Sequence, residues 1–426
     1  VAHGGVHDLL SVAERSTSVG RLTGLFCAEL FAVLLVLMAR LPLLEQAYGQ
    51  DHLVRAHRVV GIAALGLLGV HIVLVTQGYA LGSGLGLVAE FVDLVLHYPN
   101  MILAAVGAAL VVAVGLTSAP PLRRRMRYES WHLVHLYAYL GVLLAVPHET
   151  SLGTELEGSV PLAVAWWAPV VAAILGAVAC RLGLPILRSL RLRLVVDRVV
   201  REAPDTVSVY IRGQGVSALD ARPGQFLVWR FLTGRGWTRG HPFSLSAAPT
   251  DRGLRITVKD LGDGSGALRG VRPGTRVLVE GPYGRMHSGV RRKGKSLLVA
   301  SGIGITPVRA LLEEIEARPG DLTVVYRATD PGRLVLTAEI DLIAAARGAQ
   351  VHYLLGPRRQ TRGQASWVPE SAGTISDADL LSLLAPGVQD HDVYVCGPPE
   401  WARAVRRAAR EAGVPSAQIH DEFVRW

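Results

Sequence analysis

Apolar residues along this chain follow three successive rhythms. Up to about residue 181 they form runs of span length, near residues 22–40, 54–76, 99–118, 129–147 and 161–180. Each run is long enough to cross a bilayer as a helix. After Arg193 the rhythm becomes alternation: RLRLVVDRVV, TVSVYIRG, QFLVWRF, LRITVK and RVLVEG are short, β-rich and separated by Gly or Pro turns. They predict a small antiparallel barrel from about 190 to 287. From Ser296, strand candidates SLLVA, LTVVY, VHYLL, DVYVC and QIHDEF alternate with helical TPVRALLEEIEA, TAEIDLIAAARG and PEWARAVRRAAREAG, the pattern of a doubly wound parallel sheet. The expected fold class is multi-domain: an all-α transmembrane helix bundle over residues 1–188, an antiparallel β-barrel over 189–290 and a doubly wound α/β domain over 291–426.

Charge gives this layout an orientation. The net charge of +9 could suggest nucleic acid, but the arginines gather in particular loops. Arg40, Arg55 and Arg58 flank one loop, Arg123, Arg124, Arg125 and Arg127 fill another, and Arg181, Arg188, Arg191 and Arg193 follow the last run. The alternate loops, GYALGSGLGLVAEFVDLVLHYPN and HETSLGTELEGSV, hold no Lys or Arg. By the positive-inside rule the arginine loops and the C-terminal half are cytoplasmic, and the expected partner is a lipid bilayer rather than nucleic acid. The segment before residue 20 lacks the pattern of a cleaved signal peptide. Cys27, Cys180 and Cys396 are too few and scattered for a disulfide framework or a four-cysteine iron–sulfur cluster.

Four histidines lie in two of the apolar runs. His57 and His71 are fourteen residues apart, and His135 and His148 thirteen, so each pair spans about 20 Å of helix. An ionisable side chain inside a span is a functional candidate by default. Two parallel helices of this kind would form an inner pair, His57 with His135, and an outer pair, His71 with His148. Two stacked bis-histidine sites are the geometry of a transmembrane haem wire. The absence of CxxCH means that any haem is held without covalent attachment. His57 and His71 share a helix face, whereas thirteen residues leave His135 and His148 about 140° apart on an ideal helix. Pro147, just before His148, can kink or unwind the turn and re-aim it. His132 is the rival inner ligand. Gly61, Gly66 and Gly69 would let a macrocycle approach the backbone, or else serve helix packing.

In the second half, HPFSLSAAP (241–249) precedes VKDLGDGSGAL and GPYG, and SGIGITP and VYVCGPP follow. A strand with adjacent aromatic and hydroxyl groups can place Phe243 near an isoalloxazine and Ser244 at its polar edge, and the glycine-rich turn with Ser265 can offer donors to a pyrophosphate. The ordered set HPFSLS, glycine-serine turn, GPYG, SGIGITP and CGPP resembles the ferredoxin-NADP reductase fold. Coupled to spans with two histidine pairs, it resembles the ferric reductase and NADPH oxidase superfamily.

The resemblance implies a flavin-binding barrel and an NAD(P)-binding α/β domain. FAD would touch His241, Pro242, Phe243 and Ser244, with Ser265 and Gly266 near its phosphates. In SGIGITP, Gly302 and Gly304 form the turn, with Thr306 expected as N-cap and Pro307 at the first helical position, a start suited to a dinucleotide pyrophosphate. Cys396, followed by Gly397 and Pro398, would lie beside the nicotinamide or be a buried structural cysteine. Arg327, with Arg358 or Arg359, could hold an adenosine 2′-phosphate. Phe423 is the first choice for an aromatic covering the flavin, with Trp426 the alternative; either could instead be packing.

Family members usually have six spans against the five counted, so an upstream span is expected to be missing, unless Val1 is a start codon written literally. The implied cofactors are FAD, NADPH or NADH, and two haems b. The implied activity is electron transfer across the plasma membrane, from cytoplasmic nucleotide to an external acceptor such as oxygen or a ferric chelate; a homo-oligomer is compatible with this. The alternatives are a membrane-anchored flavin reductase without haem and a cytochrome serving an external protein partner.

Overall fold

The computed structural model describes residues 11–126, 128–152, 160–233, 240–361 and 364–422. Two compact units emerge, one of residues up to 44 with 51–180, the other of 45–50 with 181 onward.

The first unit is helical: α1 (Val12–Met38), α2 (Pro42–Tyr48) at its junction with the second unit, α3 (Gln50–Ser83), α4 (Leu87–His97), α5 (Met101–Ser118), α6 (Pro120–Arg123), α7 (Tyr128–Leu152) and α8 (Val160–Val178). Ser11 starts α1 with a capping box, its hydroxyl accepting the Glu14 N–H at 3.1 Å while Glu14 reaches back to the Ser11 N–H. Among the described residues five helices are long and apolar enough to cross a membrane: Val12–Met38, His52–Ser83, Met101–Ser118, Ser130–Ser151 and Val160–Leu192. Val59, Ile62, Leu133, Leu143 and Leu175 are 63% to 68% exposed. Such outward apolar side chains suit contact with lipid rather than water.

Glycine permits a close helix crossing. A Cβ at Gly141 would stand 2.8 Å from the Gly107 carbonyl oxygen, and one at Gly107 would strike the Gly141 oxygen, so α5 and α7 meet backbone to backbone. The segment 78–100, expected as a loop between spans, instead continues α3 to Ser83 and then forms α4. Its Glu90 is buried and accepts a 2.5 Å hydrogen bond from Ser83 Oγ.

The second unit opens with α9 (Leu184–Leu192). Ser189 Oγ accepts from the Val279 N–H at 3.2 Å, and Arg188 donates to the Gly281 carbonyl at 2.6 Å. The β lobe contains β1 (Val195–Ala203), β2 (Thr206–Arg212), β3 (Phe226–Phe231), β4 (His241–Ser244), β5 (Gly253–Lys259), the one-turn α10 (Asp263–Gly266) and β6 (Val277–Tyr283). Among the described residues the expected barrel takes the form of two sheets whose edges meet through isolated bridges rather than continuous ladders. The strands form two antiparallel sheets, β1-β2-β5 and β4-β3-β6, joined by the bridges Val195–Arg276 and Leu245–Ile256. Strand β4 has only four residues and its Pro242 lacks a ladder donor, which limits continuous pairing. Leu194, Leu227, Trp229, Leu245 and Ile256 fill the space between the sheets.

The last lobe is a parallel sheet ordered β13-β12-β7-β8-β9, from β7 (Lys295–Ser301), β8 (Leu322–Ala328), β9 (Gln350–Leu355), β12 (His391–Cys396) and β13 (Ile419–Glu422). Helices α11 (Ile305–Glu314), α12 (Thr337–Arg347), α13 (Asp377–Leu384) and α14 (Pro399–Glu411) accompany it. A separate hairpin, β10 (Arg358–Thr361) with β11 (Gln364–Pro369), is an addition to the expected elements. The chain leaves β7 toward β8 and β9, then returns to place β12 on the other side of β7. That makes the β7/β12 boundary a topological switch point, the crevice where open α/β sheets bind ligands.

Candidate functional site

Helices α3 and α7 bring four imidazoles into two pairs. The rings of His57 and His135 have centroids 6.1 Å apart and tilted by 54°, and those of His71 and His148 are 6.3 Å apart and tilted by 51°. No hydrogen bond joins the rings within either pair. An imidazole centroid lies about 3.2 Å from a metal at its nitrogen, so two rings on opposite sides of one ion stand about 6.4 Å apart. Both pairs match that separation. His132, three residues before His135, is exposed.

The outer nitrogens are treated unequally. His71 Nδ1 lies 2.8 Å from the Gly20 carbonyl, which can only accept, so Nδ1 carries the proton and Nε2 keeps its lone pair. His135 Nδ1 lies 3.2 Å from Ser118 Oγ. Nδ1 of His57 and of His148 is buried without a hydrogen-bond partner. Helix α7 continues through Pro147, whose missing N–H loosens the turn carrying His148. A side chain on Gly24 would come within 2.6 Å of His71 Nδ1, so this glycine leaves room for the ring. Gly66 and Gly69 instead face open space on the exposed side of α3, and Gly61 alone of the three looks toward α1, 3.9 Å from Leu34.

In the β lobe, Trp229 Nε1 donates to the Phe243 carbonyl at 3.0 Å. The Phe243 ring is 4% exposed and stacked on His241 at 6.0 Å, so His241 and Pro242 are the more open members of HPFS. Ser244 is buried at the end of β4. Ser265 Oγ accepts the Leu261 N–H and donates to the Gly262 carbonyl, which holds its own turn together. Gly266 packs against the Asp260 carboxylate.

At the switch point, β7 runs into Gly302, whose φ of +56° favours glycine, and then into α11. The helix cap is Gly304, not Thr306. Helical geometry begins at Ile305, Thr306 Oγ1 donates to the Ile303 carbonyl at 3.0 Å, and Pro307 occupies the third helical position. A Cβ on Gly304 would strike the Cys396 carbonyl, and one on Gly397 would lie 2.7 Å from Trp401. SGIG and CGPP, ninety residues apart in sequence, therefore touch. Cys396 is buried, and burial together with the Glu422 carboxylate pushes its thiol up to about 12, so it stays protonated. Glu422 pairs in register with Cys396 and packs on Gly284 of GPYG. It was missed in the sequence because no motif marks it. Phe423 and Trp426 lie outside the described residues.

Beside the switch point lies a cavity of about 210 Å³, lined by Ser301, Gly302, Pro398 and Trp401 and by the cations Lys259, Arg327, Arg333 and Arg358. Arg327 is 4% exposed, donates to the Gly356 carbonyl at 2.7 Å and also to Ala328, and its guanidinium is pulled down by burial and by Arg358. Its donors are thus largely committed to backbone; Arg358, and Arg333 on its exposed pairing with Asp330 at 2.9 Å, are the more accessible cations. Arg359 is tied to Gly373, Ile375 and Asp377.

A polar network missed in the sequence links the two lobes. Arg255 of β5 donates to Ser246 O at 2.6 Å and to Glu339 of α12 at 2.8 Å. Arg309 of α11 ion-pairs with Glu339 at 2.9 Å and with Glu313, which accepts the Ala248 N–H at 2.8 Å.

Residues 23–146 match the family described as ferric reductase like transmembrane component, and residues 298–407 match the oxidoreductase NAD-binding domain. The flavohemoprotein of Chromobacterium violaceum is 30% identical over 235 residues, covering 52% of this chain and 57% of that protein. The ferredoxin reductase component of 3-ketosteroid-9-alpha-monooxygenase from Rhodococcus rhodochrous is 28% identical over 239 residues, covering 54% and 64%. The chain thus spans less than two thirds of the length of these curated relatives. Among solved structures, the flavohem-like FAD/NAD binding domain of nitric oxide dioxygenase from Vibrio cholerae is 23% identical with a TM-score of 0.44, covering 55% of this chain and 98% of that one. Taken together, the chain joins a segment similar to the ferric reductase like transmembrane component to one similar to the oxidoreductase NAD-binding domain, a combination consistent with the ferric reductase and NADPH oxidase superfamily.

Proposed function

We propose that this chain is a membrane flavocytochrome that takes electrons from NADPH on the cytoplasmic side of the plasma membrane and delivers them to a small acceptor, oxygen or a ferric chelate, on the other. The observation that carries the reading is the pair of histidine couples at 6.1 and 6.3 Å on the same two helices. Their donor set is two imidazoles per site, which would suit the iron of a bound haem. His57 with His135, and His71 with His148, would hold two haems b. Arg40, Arg55, Arg58 and the cluster 123–125 support the assignment of inside and outside.

The redox chemistry would belong to the cofactors, a bound FAD supplying the change from hydride to single-electron transfer and bound haems one-electron carriage. The chain's part is binding and alignment. The Gly302–Gly304 turn offers backbone N–H groups at the start of α11 to a pyrophosphate. Arg333 and Arg358 would clamp a 2′-phosphate, which favours NADPH over NADH. The tight contact of Gly304 with Cys396 sets how deeply a nicotinamide can enter, and the neutral Cys396 thiol adds no charge beside it. His241, Pro242 and Ser244 would face the flavin.

Anaerobic addition of NADPH to purified protein tests the proposal. Paired b-type absorption bands that become reduced support it, and comparison of superoxide formation with ferric-chelate reduction identifies the acceptor. Flavin fluorescence without such bands would leave a membrane-anchored flavin reductase instead.

A further inference from the structure

Ser118, the last residue of α5, stands at a junction of three polar groups. Its Oγ lies 3.2 Å from His135 Nδ1 and accepts the Trp131 Nε1–H, also at 3.2 Å. Trp131 is one helical turn before His135 on α7. Its ring lies against the imidazole at 5.0 Å and 38°, and the Arg123 guanidinium lies over it at 4.5 Å. A serine hydroxyl has two acceptor lone pairs, so it can take one N–H from the indole and one from the imidazole.

We propose that Ser118 is a positioning residue for the inner histidine pair, its hydroxyl accepting the His135 Nδ1 proton so that Nε2 presents its lone pair toward His57. This rests on the haem-binding reading above. At the outer pair the Gly20 carbonyl does the same for His71 with a stronger, shorter bond. An acceptor on the remote nitrogen fixes the tautomer and ring orientation and makes the ligating nitrogen more basic. A more basic ligand favours the oxidised iron. The indole competes for the same oxygen, so Ser118 accepts less from His135 than a free hydroxyl would.

The two groups therefore act with opposite sign, which a merely structural role would not produce. In the full-length protein as purified with its haem, Ser118→Ala should move one of the two potentiometric waves of the b-type bands to higher potential and leave the other in place. It should also alter one of the two low-spin electron paramagnetic resonance signals and weaken haem retention at that site on the order of 10-fold. Ser118→Thr, which keeps the hydroxyl, should restore the wild-type wave. Trp131→Phe removes the competing donor and should move the same wave to lower potential, which also covers the case where Ser118→Ala fails to fold. Waves that coincide with wild type in Ser118→Ala, or move the same way in both variants, overturn the assignment of Ser118. A wild-type protein without b-type bands overturns the haem reading itself, and this inference with it.

Discussion

Glu339→Gln removes one negative charge from between two arginines that are barely exposed. Arg255 is 6% exposed and Arg309 8%. Breaking a fully buried ion pair costs about 3–5 kcal/mol because an uncompensated charge stays behind. Here the cost is smaller, since the Glu339 side chain is 36% exposed, Arg309 keeps Glu313 and Arg255 keeps Ser246. A loss of about 2 kcal/mol follows. For a unit of this size that is roughly 4–8 °C in melting midpoint. The assay is thermal unfolding of the detergent-solubilised chain at pH 7, followed by tryptophan emission. Glu411→Gln serves as control, since its pairing with Arg407 is at 4.0 Å on an exposed helix face and should count for little. The two arginines hold the Glu339 carboxyl below its usual range, so its contribution is full above pH 4.5 and fades as pH falls through the lower folded value. A Glu339→Gln midpoint no lower than that of Glu411→Gln would refute the view that this network clamps the lobes.

Other outcomes can be checked separately. His71→Ala or His148→Ala should each remove one haem per chain while flavin reduction by NADPH persists, as read by pyridine haemochrome content and stopped-flow absorbance. Replacing Arg333 and Arg358 by Ala should raise KM for NADPH about 10–100-fold and leave that for NADH nearly unchanged, because only charge-assisted bonds to the extra phosphate are lost. His287 is half-buried near Arg222 and Arg285; desolvation and these two cations lower it from 6.5 to about 4, so it is neutral when folded. The unfolded chain then binds the extra proton, and stability should fall as pH drops from 6.5 toward 4, measured as a melting midpoint; His287→Asn should flatten that slope.

The five spans and the alternation of strands and helices were legible because long apolar runs and period changes are local properties of sequence. The four histidines were legible as candidates because ionisable groups in such runs are rare. Their facing was less so: an ideal helix puts His135 and His148 about 140° apart, and it takes the packed bundle to bring both rings to α3. Thr306 has the residue type of a cap, yet the tight turn through Gly302 moves the helix start two residues earlier, to Gly304. Arg327 has the charge for a phosphate but lies too deep and spends its donors on carbonyls. The Arg255–Glu339–Arg309 clamp and Ser118 left no periodic or motif signal, since each joins residues from separate elements, and such partnerships exist only after folding.

The touching backbones of Gly107 and Gly141 act as a pivot for α7. Gly141 sits six residues after His135 and seven before His148, almost midway between them. With the helix pinned at its midpoint, any swivel or tilt is a seesaw that displaces one end as it displaces the other. Both iron seats thus share a single mechanical setting, and a bulky residue at either glycine would detune them in concert rather than singly.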